Sequence, residues 1–120
     1  MNTQAIEKKI LKIKTQLMAM SDLRPGSLSK QFNVCGNPTC RCKDPVKPKK
    51  HGPYYNLSYS FGGQSKTQFI RPEMATEIEA ETKNYRKFKK LMQMWITLEI
   101  QKSNLQIIEK KKVLDHKNKN

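Results

Sequence analysis

The fold of this chain depends on one short stretch, Cys35-Gly36-Asn37-Pro38-Thr39-Cys40-Arg41-Cys42, which is followed nine residues later by His51. The stretch contains all three cysteines of the 120-residue chain. Three thiolates and one imidazole can complete a tetrahedral zinc site. Because the surrounding segment is short and polar, hydrophobic burial alone is a weak source of stability for it. The sequence therefore predicts a structural zinc ion bound by Cys35, Cys40, Cys42 and His51.

The spacing of these residues fits a metal site in part. The first two cysteines are separated by four residues that include a glycine and a proline, which suits a tight turn, whereas a single residue separates the last two. His51 is the preferred fourth ligand because it directly precedes the first predicted strand, and Asp44 is the alternative. A cysteine nucleophile with His51 as its base is a weaker interpretation, since no third group orients the histidine.

A catalytic zinc site needs an open coordination position and a general base nearby. The segment from residue 24 to residue 71 offers one acid, Asp44, for that role. We therefore expect a closed structural site without catalytic residues, in a protein that is not an enzyme.

The chain is strongly basic, with 24 Lys and Arg residues against 10 Asp and Glu residues and a formal net charge of +14. Residues 24–71 carry nine of the basic side chains and one acidic side chain. Such an excess is typical of proteins that act on polyanions. We expect nucleic-acid binding, with DNA slightly favoured over RNA, through phosphate contacts and base stacking by Arg24, Lys30, Arg41, Lys43, Lys47, Lys49, Lys50, Tyr54, Lys66 and Arg71.

Composition also limits the size and location of the protein. With 36% hydrophobic and 28% charged residues, the chain has room for at most one compact domain with appendages. No apolar run approaches the ~20 residues of a membrane span, and no secretory h-region follows the N-terminus. We expect a cytoplasmic protein that does not contact membranes, where reduced thiols serve as ligands and do not form a disulfide.

Two helices are predicted to flank the cysteine-containing segment. In residues 1–22 apolar side chains recur in alternating steps of four and three at Ile6, Ile10, Ile13, Leu17 and Met20. Pro25 and Gly26 then end that helix. A second helix is predicted over residues 72–115, where no glycine or proline interrupts residues 73–115, and residues 116–120 are expected to form a frayed tail.

The two helices are expected to pair as an antiparallel coiled-coil stalk. The second is about twice as long as the first, so part of its apolar surface needs another partner, either a second copy of the chain or a larger protein. The predicted packing and dimer seam consists of Phe88, Met92, Trp95, Leu98, Leu105 and Ile108.

Between the helices, residues 23–71 are predicted to form a basic β module around a hairpin. Alternation of Tyr55, Leu57, Tyr59 and Phe61 with polar residues indicates a half-buried strand, which leaves Tyr54 as the freer ring. Gly62-Gly63 marks the turn, and residues 66–70 form the return strand. A three-residue loop would pair Leu57 with Phe69, whereas a two-residue loop would pair Tyr55 with Ile70.

Several of these motifs occur together in an order that resembles a known family. They are Arg24-Pro25-Gly26-Ser27-Leu28-Ser29, the cysteine stretch, His51-Gly52-Pro53-Tyr54-Tyr55, and the Gly-Gly hairpin with Thr67-Gln68-Phe69-Ile70-Arg71. The pattern resembles an uncharacterised prokaryotic domain family of short Cys-containing proteins found in bacteria and archaea, over residues 24–100. The resemblance implies a small zinc-binding accessory, for example of a mobile element, and supplies no activity.

Taken together, the sequence predicts an α+β protein in which a zinc-stabilised β-hairpin module lies between the paired helices. The predicted function is nucleic-acid binding by a small basic zinc protein, as an accessory of a larger nucleoprotein or mobile-element system. The alternative is a coiled-coil adaptor that binds another protein through its long helix and does not itself read nucleic-acid sequence.

Overall fold

The computed structural model describes residues 2–118 and shows an α+β protein with two α-helices and a three-stranded sheet. The order along the chain is helix α1 (Thr3–Met18), strands β1 (Ser27–Asn33), β2 (His51–Phe61) and β3 (Gln64–Ile70), and helix α2 (Ala75–Asn118). Short 3₁₀ helices cover Arg41–Lys43 and Pro72–Met74. Two compact units are present: one joins the chain up to Ser21 with the chain from Arg86 onward, and the other is Asp22–Tyr85.

Helix α1 is amphipathic, and its apolar stripe is the predicted one. The Asn2 side chain caps its first turn by accepting a hydrogen bond from the Ala5 N–H (2.8 Å). Ile6, Ile10 and Ile13 are 1%, 4% and 5% exposed, so these three side chains are in the interior of their unit. The helix ends at Met18, and residues 19–22 of the predicted segment lie beyond its C-terminal end.

Helix α2 packs against α1 along one stripe. Leu91 is buried, and the side chains that follow it at steps of four and three are half-buried: Trp95, Leu98, Lys102 and Leu105. Lys14, near the C-terminus of α1, places its ammonium 5.1 Å from the centre of the Trp95 ring. The stripe on α2 continues ten residues beyond Trp95, to Leu105. Because the C-terminal end of α1 already lies beside Trp95, this later part of the stripe packs against the N-terminal part of α1. The two helices therefore run antiparallel, as predicted.

Helix α2 is continuous, as its uninterrupted sequence predicts. Pro72 opens the 3₁₀ turn before it, and α2 itself begins at Ala75. It runs through Asn118, so residues 116–118 of the predicted frayed tail are helical, and residues 119–120 lie outside the described residues. No helix within residues 2–118 combines the length and apolar character that crossing a membrane requires.

The sheet is antiparallel with the order β1-β2-β3. Tyr55 pairs with Ile70, and the two-residue loop is Gly62-Gly63, with both φ angles positive (60° and 77°). Of the two registers considered, the structure has the two-residue one. The same register pairs Leu57 with Gln68, so the alternative with Phe69 opposite Leu57 is wrong.

One face of the sheet packs on the beginning of α2. Leu57, Ile70 and Ile78 are 3%, 4% and 2% exposed and form a buried cluster, with Leu28 and Tyr55 packed against it. Tyr55 therefore belongs to the packed face, as its position in the alternating pattern predicted.

Strand β1 was not predicted. It pairs with β2 from Ser27↔Ser58 to Asn33↔His51, with an irregularity between Gln31 and Asn33. Six of its seven side chains are exposed, so hydrophobic alternation is a weak signal there. The predicted hairpin is thus the second half of a three-stranded sheet.

Candidate metal centre

The four predicted ligands converge in the loop between β1 and β2. Cys35 follows the end of β1, Cys40 and Cys42 lie at and within the 3₁₀ helix Arg41–Lys43, and His51 is the first residue of β2. Their ligand atoms all lie within 4.8 Å of one another. The three cysteines are free thiols. The structure therefore brings together a Cys₃His set that can hold a metal ion.

The distances between these atoms suit a tetrahedral ion. Cys35 Sγ and Cys42 Sγ are 3.6 Å apart, and Cys40 Sγ and His51 Nε2 are 3.2 Å apart. Tetrahedral coordination at ordinary Zn–S and Zn–N lengths puts two sulfurs about 3.8 Å apart and a sulfur and a nitrogen about 3.5 Å apart. Small outward movements of the side chains would make room for the ion.

Backbone hydrogen bonds give the loop its shape. The Cys35 N–H donates a hydrogen bond to Cys42 Sγ (3.3 Å). Such a donor stabilises the negative charge of a sulfur that acts as a thiolate ligand. The Cys40 N–H donates to the Asn37 carbonyl (3.2 Å), and the Lys49 N–H donates to the Arg41 carbonyl (3.0 Å). The bond between Lys49 and Arg41 connects the end of the loop to the 3₁₀ helix that contains Cys42. Backbone hydrogen bonds therefore hold the loop both before and after its cysteines.

The environment favours the charged forms of three of the four groups. Hydrogen bonding by the backbone at Cys42, together with the neighbouring thiols and His51, lowers the pKa of Cys40 to about 6. Hydrogen bonds with Asn37 and His51 lower the pKa of Cys35. The thiols of Cys35 and Cys40 in turn raise the pKa of His51.

Cys42 behaves differently because it is 2% exposed. Burial raises the pKa of its thiol above the ordinary value. A buried thiolate at this position is costly unless a positive partner such as a metal ion accompanies it.

Asp44, the alternative fourth ligand, lies outside the cluster. Its Oδ1 accepts hydrogen bonds from the backbone N–H groups of Val46 (2.9 Å) and Lys47 (3.4 Å). The carboxylate therefore stabilises a turn in the loop, and the structure favours His51 over Asp44.

The basic residues that the sequence singled out lie in three places. Five belong to the same loop as the cysteines, and all five are exposed: Arg41, Lys43, Lys47, Lys49 and Lys50. Lys30 and Lys66 are exposed on the edge strands β1 and β3. Arg24 and Arg71 lie just outside the sheet strands.

Three of these side chains have contacts within the chain. Arg24 forms an ion pair with Glu81 (3.2 Å), and its backbone N–H donates to the Glu81 carbonyl (3.1 Å). Arg71 lies 3.6 Å from Glu73 in an exposed pair. The Lys30 ammonium lies 5.6 Å from the centre of the Phe32 ring. Arg24 thus has a structural role, and its use in phosphate contact stays a prediction.

Tyr54 lies beside the metal centre. It is 37% exposed and lines a shallow cavity of about 370 Å³ with Asn33, Val34, Cys35 and His51. The tyrosine ring that the sequence predicted to be freer is therefore next to two residues of the Cys₃His cluster.

Sequence reasoning missed the second face of the sheet, which faces away from the buried cluster. We call it the open face; its side chains are Ser27, Ser29, Gln31, Tyr54, Asn56, Ser58, Ser60, Ser65, Thr67 and Phe69. Residues 27–33 carry only a weak signal for this face, because Leu28 and Phe32 alternate with Ser29 and Gln31 but Lys30 interrupts the apolar series.

Residues 3–80 match the family described as a domain of unknown function, DUF6788, and the chain belongs to that family. The match includes the cysteine stretch, His51 and all three strands. It begins and ends earlier than residues 24–100, over which the sequence showed its resemblance. No curated protein and no solved structure matches the chain.

Proposed function

We propose that this protein is a small zinc-binding protein that binds nucleic acid through the loop between β1 and β2. The observation that carries the proposal is the convergence of three thiols and one imidazole inside a loop with five exposed basic side chains and one acid. The ligand cluster fixes the loop, and the loop presents the charge.

The donor set favours zinc among the metals. Thiolate and imidazole ligands in a tetrahedral arrangement are typical of Zn²⁺, whereas Ca²⁺ and Mg²⁺ prefer oxygen. All four positions are supplied by the protein, which suits a structural site. We therefore propose no catalytic role for the centre and no enzymatic activity for the protein.

The charge of the loop supports a polyanionic partner. Lys47, Lys49 and Lys50 lie within four residues of one another and repel each other in the free protein. Phosphate groups would relieve that repulsion and release counterions, which gives a favourable and salt-dependent contribution to binding. A nucleoprotein or mobile-element complex is the setting in which we place this activity.

The test compares two triple charge reversals of equal size. One is Lys47→Glu, Lys49→Glu and Lys50→Glu in the loop, and its control is the same change at Lys110, Lys111 and Lys112 on the exposed end of α2. Fluorescence anisotropy with a labelled 20-base-pair DNA duplex should show a loss of at least about 100-fold for the loop variant and under about 10-fold for the control. Equal losses, or no binding by the wild-type protein, would contradict the proposal.

The metal is tested separately from the nucleic acid. Elemental analysis of the purified protein should give about one zinc per chain for the wild type and for Asp44→Asn, and a large loss for His51→Ala. A wild-type protein that binds no zinc and keeps its thermal stability in a chelator would rule out the structural site.

A second candidate function rests on a separate observation on α2. Besides the stripe that packs on α1, the helix carries an apolar stripe on its opposite side: Met92, Ile96, Ile100, Ile107 and Leu114. These side chains are between 38% and 59% exposed. The N-terminal part of this stripe, from Met92 to Ile100, lines a groove of about 590 Å³ together with Trp95 and Glu99.

This stripe coincides only in part with the packing and dimer seam predicted from the sequence. Phe88, Trp95, Leu98 and Leu105 are half-buried, and the last three lie on the side that packs on α1. Met92 and Ile108 are 38% and 50% exposed. Ile100, Ile107 and Leu114 recur every seven residues, which is the spacing of a single heptad position and keeps them on one side of the helix. We propose that this stripe binds the same stripe of a second copy of the chain.

Light scattering after gel filtration tests the dimer. Ile100→Glu should shift the protein from dimer to monomer at micromolar concentration, whereas the adjacent exposed change Gln101→Glu should leave the mass unchanged. A wild-type monomer at 100 µM would refute self-association, and the adaptor alternative would then require a different protein on this stripe.

A further inference from the structure

The open face of the sheet differs from the rest of this highly charged protein. None of its side chains carries a charge, although 28% of the residues in the chain are charged. All are exposed except Asn56, which is half-buried. Exposed sheet faces and edges usually carry charged side chains that keep them soluble and prevent association. A charge-free face here calls for an explanation.

The face is built from short polar groups with two aromatic rings among them. Hydroxyls pair across the strands, Ser58 with Thr67 (3.1 Å) and Ser60 with Ser65 (2.7 Å). Gln31 lies opposite Tyr54, and Asn56 lies opposite Phe69, which is 59% exposed. Amides, hydroxyls and apolar rings are the groups that contact base edges and the thymine methyl group in a DNA groove.

The surroundings of the open face, in contrast to the face itself, are positively charged. Strands β1, β2 and β3 contain no acidic residue. Lys30 and Lys66 lie on the two edge strands, and the five basic residues of the metal loop lie at one end of the sheet. Both edge lysines start on the packed face: the Lys66 side chain is long enough to extend past its edge, whereas the Lys30 ammonium lies 5.6 Å from the centre of the Phe32 ring. The neutral face is thus bordered by positive charge.

That arrangement is complementary to a DNA duplex. Base edges on the groove floor are uncharged, and the phosphates that border the groove are negative. We propose that the open face inserts into the major groove of double-stranded DNA, with the loop and edge lysines on the phosphates. This inference rests on the proposed nucleic-acid-binding function and specifies its partner and its contact surface.

The width of the sheet, measured between strand axes, excludes the minor groove and favours the major groove. Strands about 4.8 Å apart place the outer strands of a three-stranded sheet about 10 Å apart. The major groove of B-form DNA is about 12 Å wide, whereas the minor groove is about 6 Å wide. The major groove of an RNA duplex is deep and too narrow for side chains to read. The face therefore fits duplex DNA better than duplex RNA.

The first test places one negative charge on either face of the same strand. Thr67 and Gln68 are adjacent and both exposed, but Thr67 is on the open face and Gln68 is on the opposite face. In fluorescence anisotropy with a 20-base-pair duplex, Thr67→Glu should weaken binding by at least about tenfold, because a carboxylate would enter a groove lined by phosphates. Gln68→Glu, with the same change in net charge, should weaken it by no more than about threefold.

A second pair of variants removes apolar contact without changing charge. Phe69→Ala on the open face should weaken binding by about five- to tenfold, whereas Phe61→Ala at the hairpin end should have no effect, although Phe61 is 84% exposed. Circular dichroism and zinc content of each variant show that it is folded. This pair keeps the inference testable even if Thr67→Glu disturbs the hydroxyl pair with Ser58.

The outcomes separate this inference from the proposed function. If the wild type binds duplex DNA and the open-face variants bind as well as their controls, the groove insertion is wrong and binding through the loop stands. If single-stranded DNA or duplex RNA of the same sequence binds more tightly than duplex DNA, the choice of partner is wrong. If the wild type binds no nucleic acid, both the inference and the proposed function fail.

Discussion

Individual residues determine the metal centre and the turns around it. Cys42 shows how one position combines two roles, because its sulfur is buried in the loop and accepts a hydrogen bond from the Cys35 N–H. An apolar residue of similar size could fill the same space but could not bind an ion. Position 42 therefore needs a side chain that both fills a buried space and has a sulfur able to act as a ligand.

Metal affinity should depend on pH through the thiols. The pKa of Cys40 is lowered to about 6, so its thiol is mostly ionised at neutral pH, whereas the raised pKa of Cys42 keeps its proton until a metal displaces it. As the pH falls, protons compete for all three sulfurs, and affinity should fall by about tenfold per pH unit for each proton released. Titration with Co²⁺ between pH 8 and pH 5.5, followed by the thiolate absorption band, measures this slope. An affinity independent of pH would exclude thiolate ligation.

Gly26 is a second residue with a specific structural role. Its φ is +122°, and a Cβ atom there would lie 2.6 Å from the Ser58 carbonyl oxygen. Gly26→Ala should therefore destabilise the fold by about 1–3 kcal/mol. The matched control is Gly36→Ala, where a Cβ atom would have no neighbour within 4 Å. Thermal denaturation followed by circular dichroism should separate the two, and equal melting temperatures would contradict the strain at Gly26.

At the scale of secondary-structure elements, the two helices have different sources of stability. Helix α1 has 16 residues and buries Ile6, Ile10 and Ile13 in one stripe. An isolated helix of that length is marginal in water, so its stability comes from packing on α2. Helix α2 has 44 residues and continues past the end of the paired stripe at Leu105.

Adjacent residues on α1 should therefore differ sharply in their effect on stability. Ile10 is 4% exposed, and Ile10→Ala should reduce the free energy of unfolding by about 2–4 kcal/mol. Leu11 is 64% exposed, and Leu11→Ala should change it by less than about 0.5 kcal/mol. Urea denaturation monitored by Trp95 fluorescence measures both. Similar losses at the two positions would show that α1 does not pack on α2 as described.

At the scale of the whole molecule, net charge is expected to dominate the affinity of the protein for polyanions. A net charge of +14 on 120 residues predicts attraction to any polyanion, so affinity for DNA at low salt alone would say little about specificity. The salt dependence of affinity is more informative, since it counts the phosphates that the protein neutralises.

If the loop and sheet edges contact about six phosphates, affinity for a DNA duplex should fall by about a thousandfold between 50 and 200 mM salt. The Lys47, Lys49 and Lys50 reversal should make the plot of log affinity against log salt shallower by about three. The reversal of Lys110, Lys111 and Lys112 should leave the slope nearly unchanged. Equal changes in slope for the two variants would mean that the charge acts without specific contacts.

Much of the architecture follows from local sequence signals. The heptad steps from Ile6 to Leu17 predict α1, and the absence of glycine and proline after Pro72 predicts α2. The clustering of three cysteines near His51 predicts the ligand set that the structure brings together. Each of these signals is contained in neighbouring residues, and helix periodicity and ligand spacing are themselves local properties.

Strand pairing, by contrast, was decided by contacts between distant residues. Strand β1 has little hydrophobic alternation of its own. It forms through backbone pairing with β2, in which, for example, Leu28 lies opposite Leu57. That pairing created the open face and placed Gln31 beside Tyr54. The sequence by itself determined the helices, the position of the hairpin turn and the Cys₃His set. Only the tertiary structure decided the third strand, the register and the neutral face, because backbone hydrogen bonds between strands leave almost no trace in either strand's own sequence.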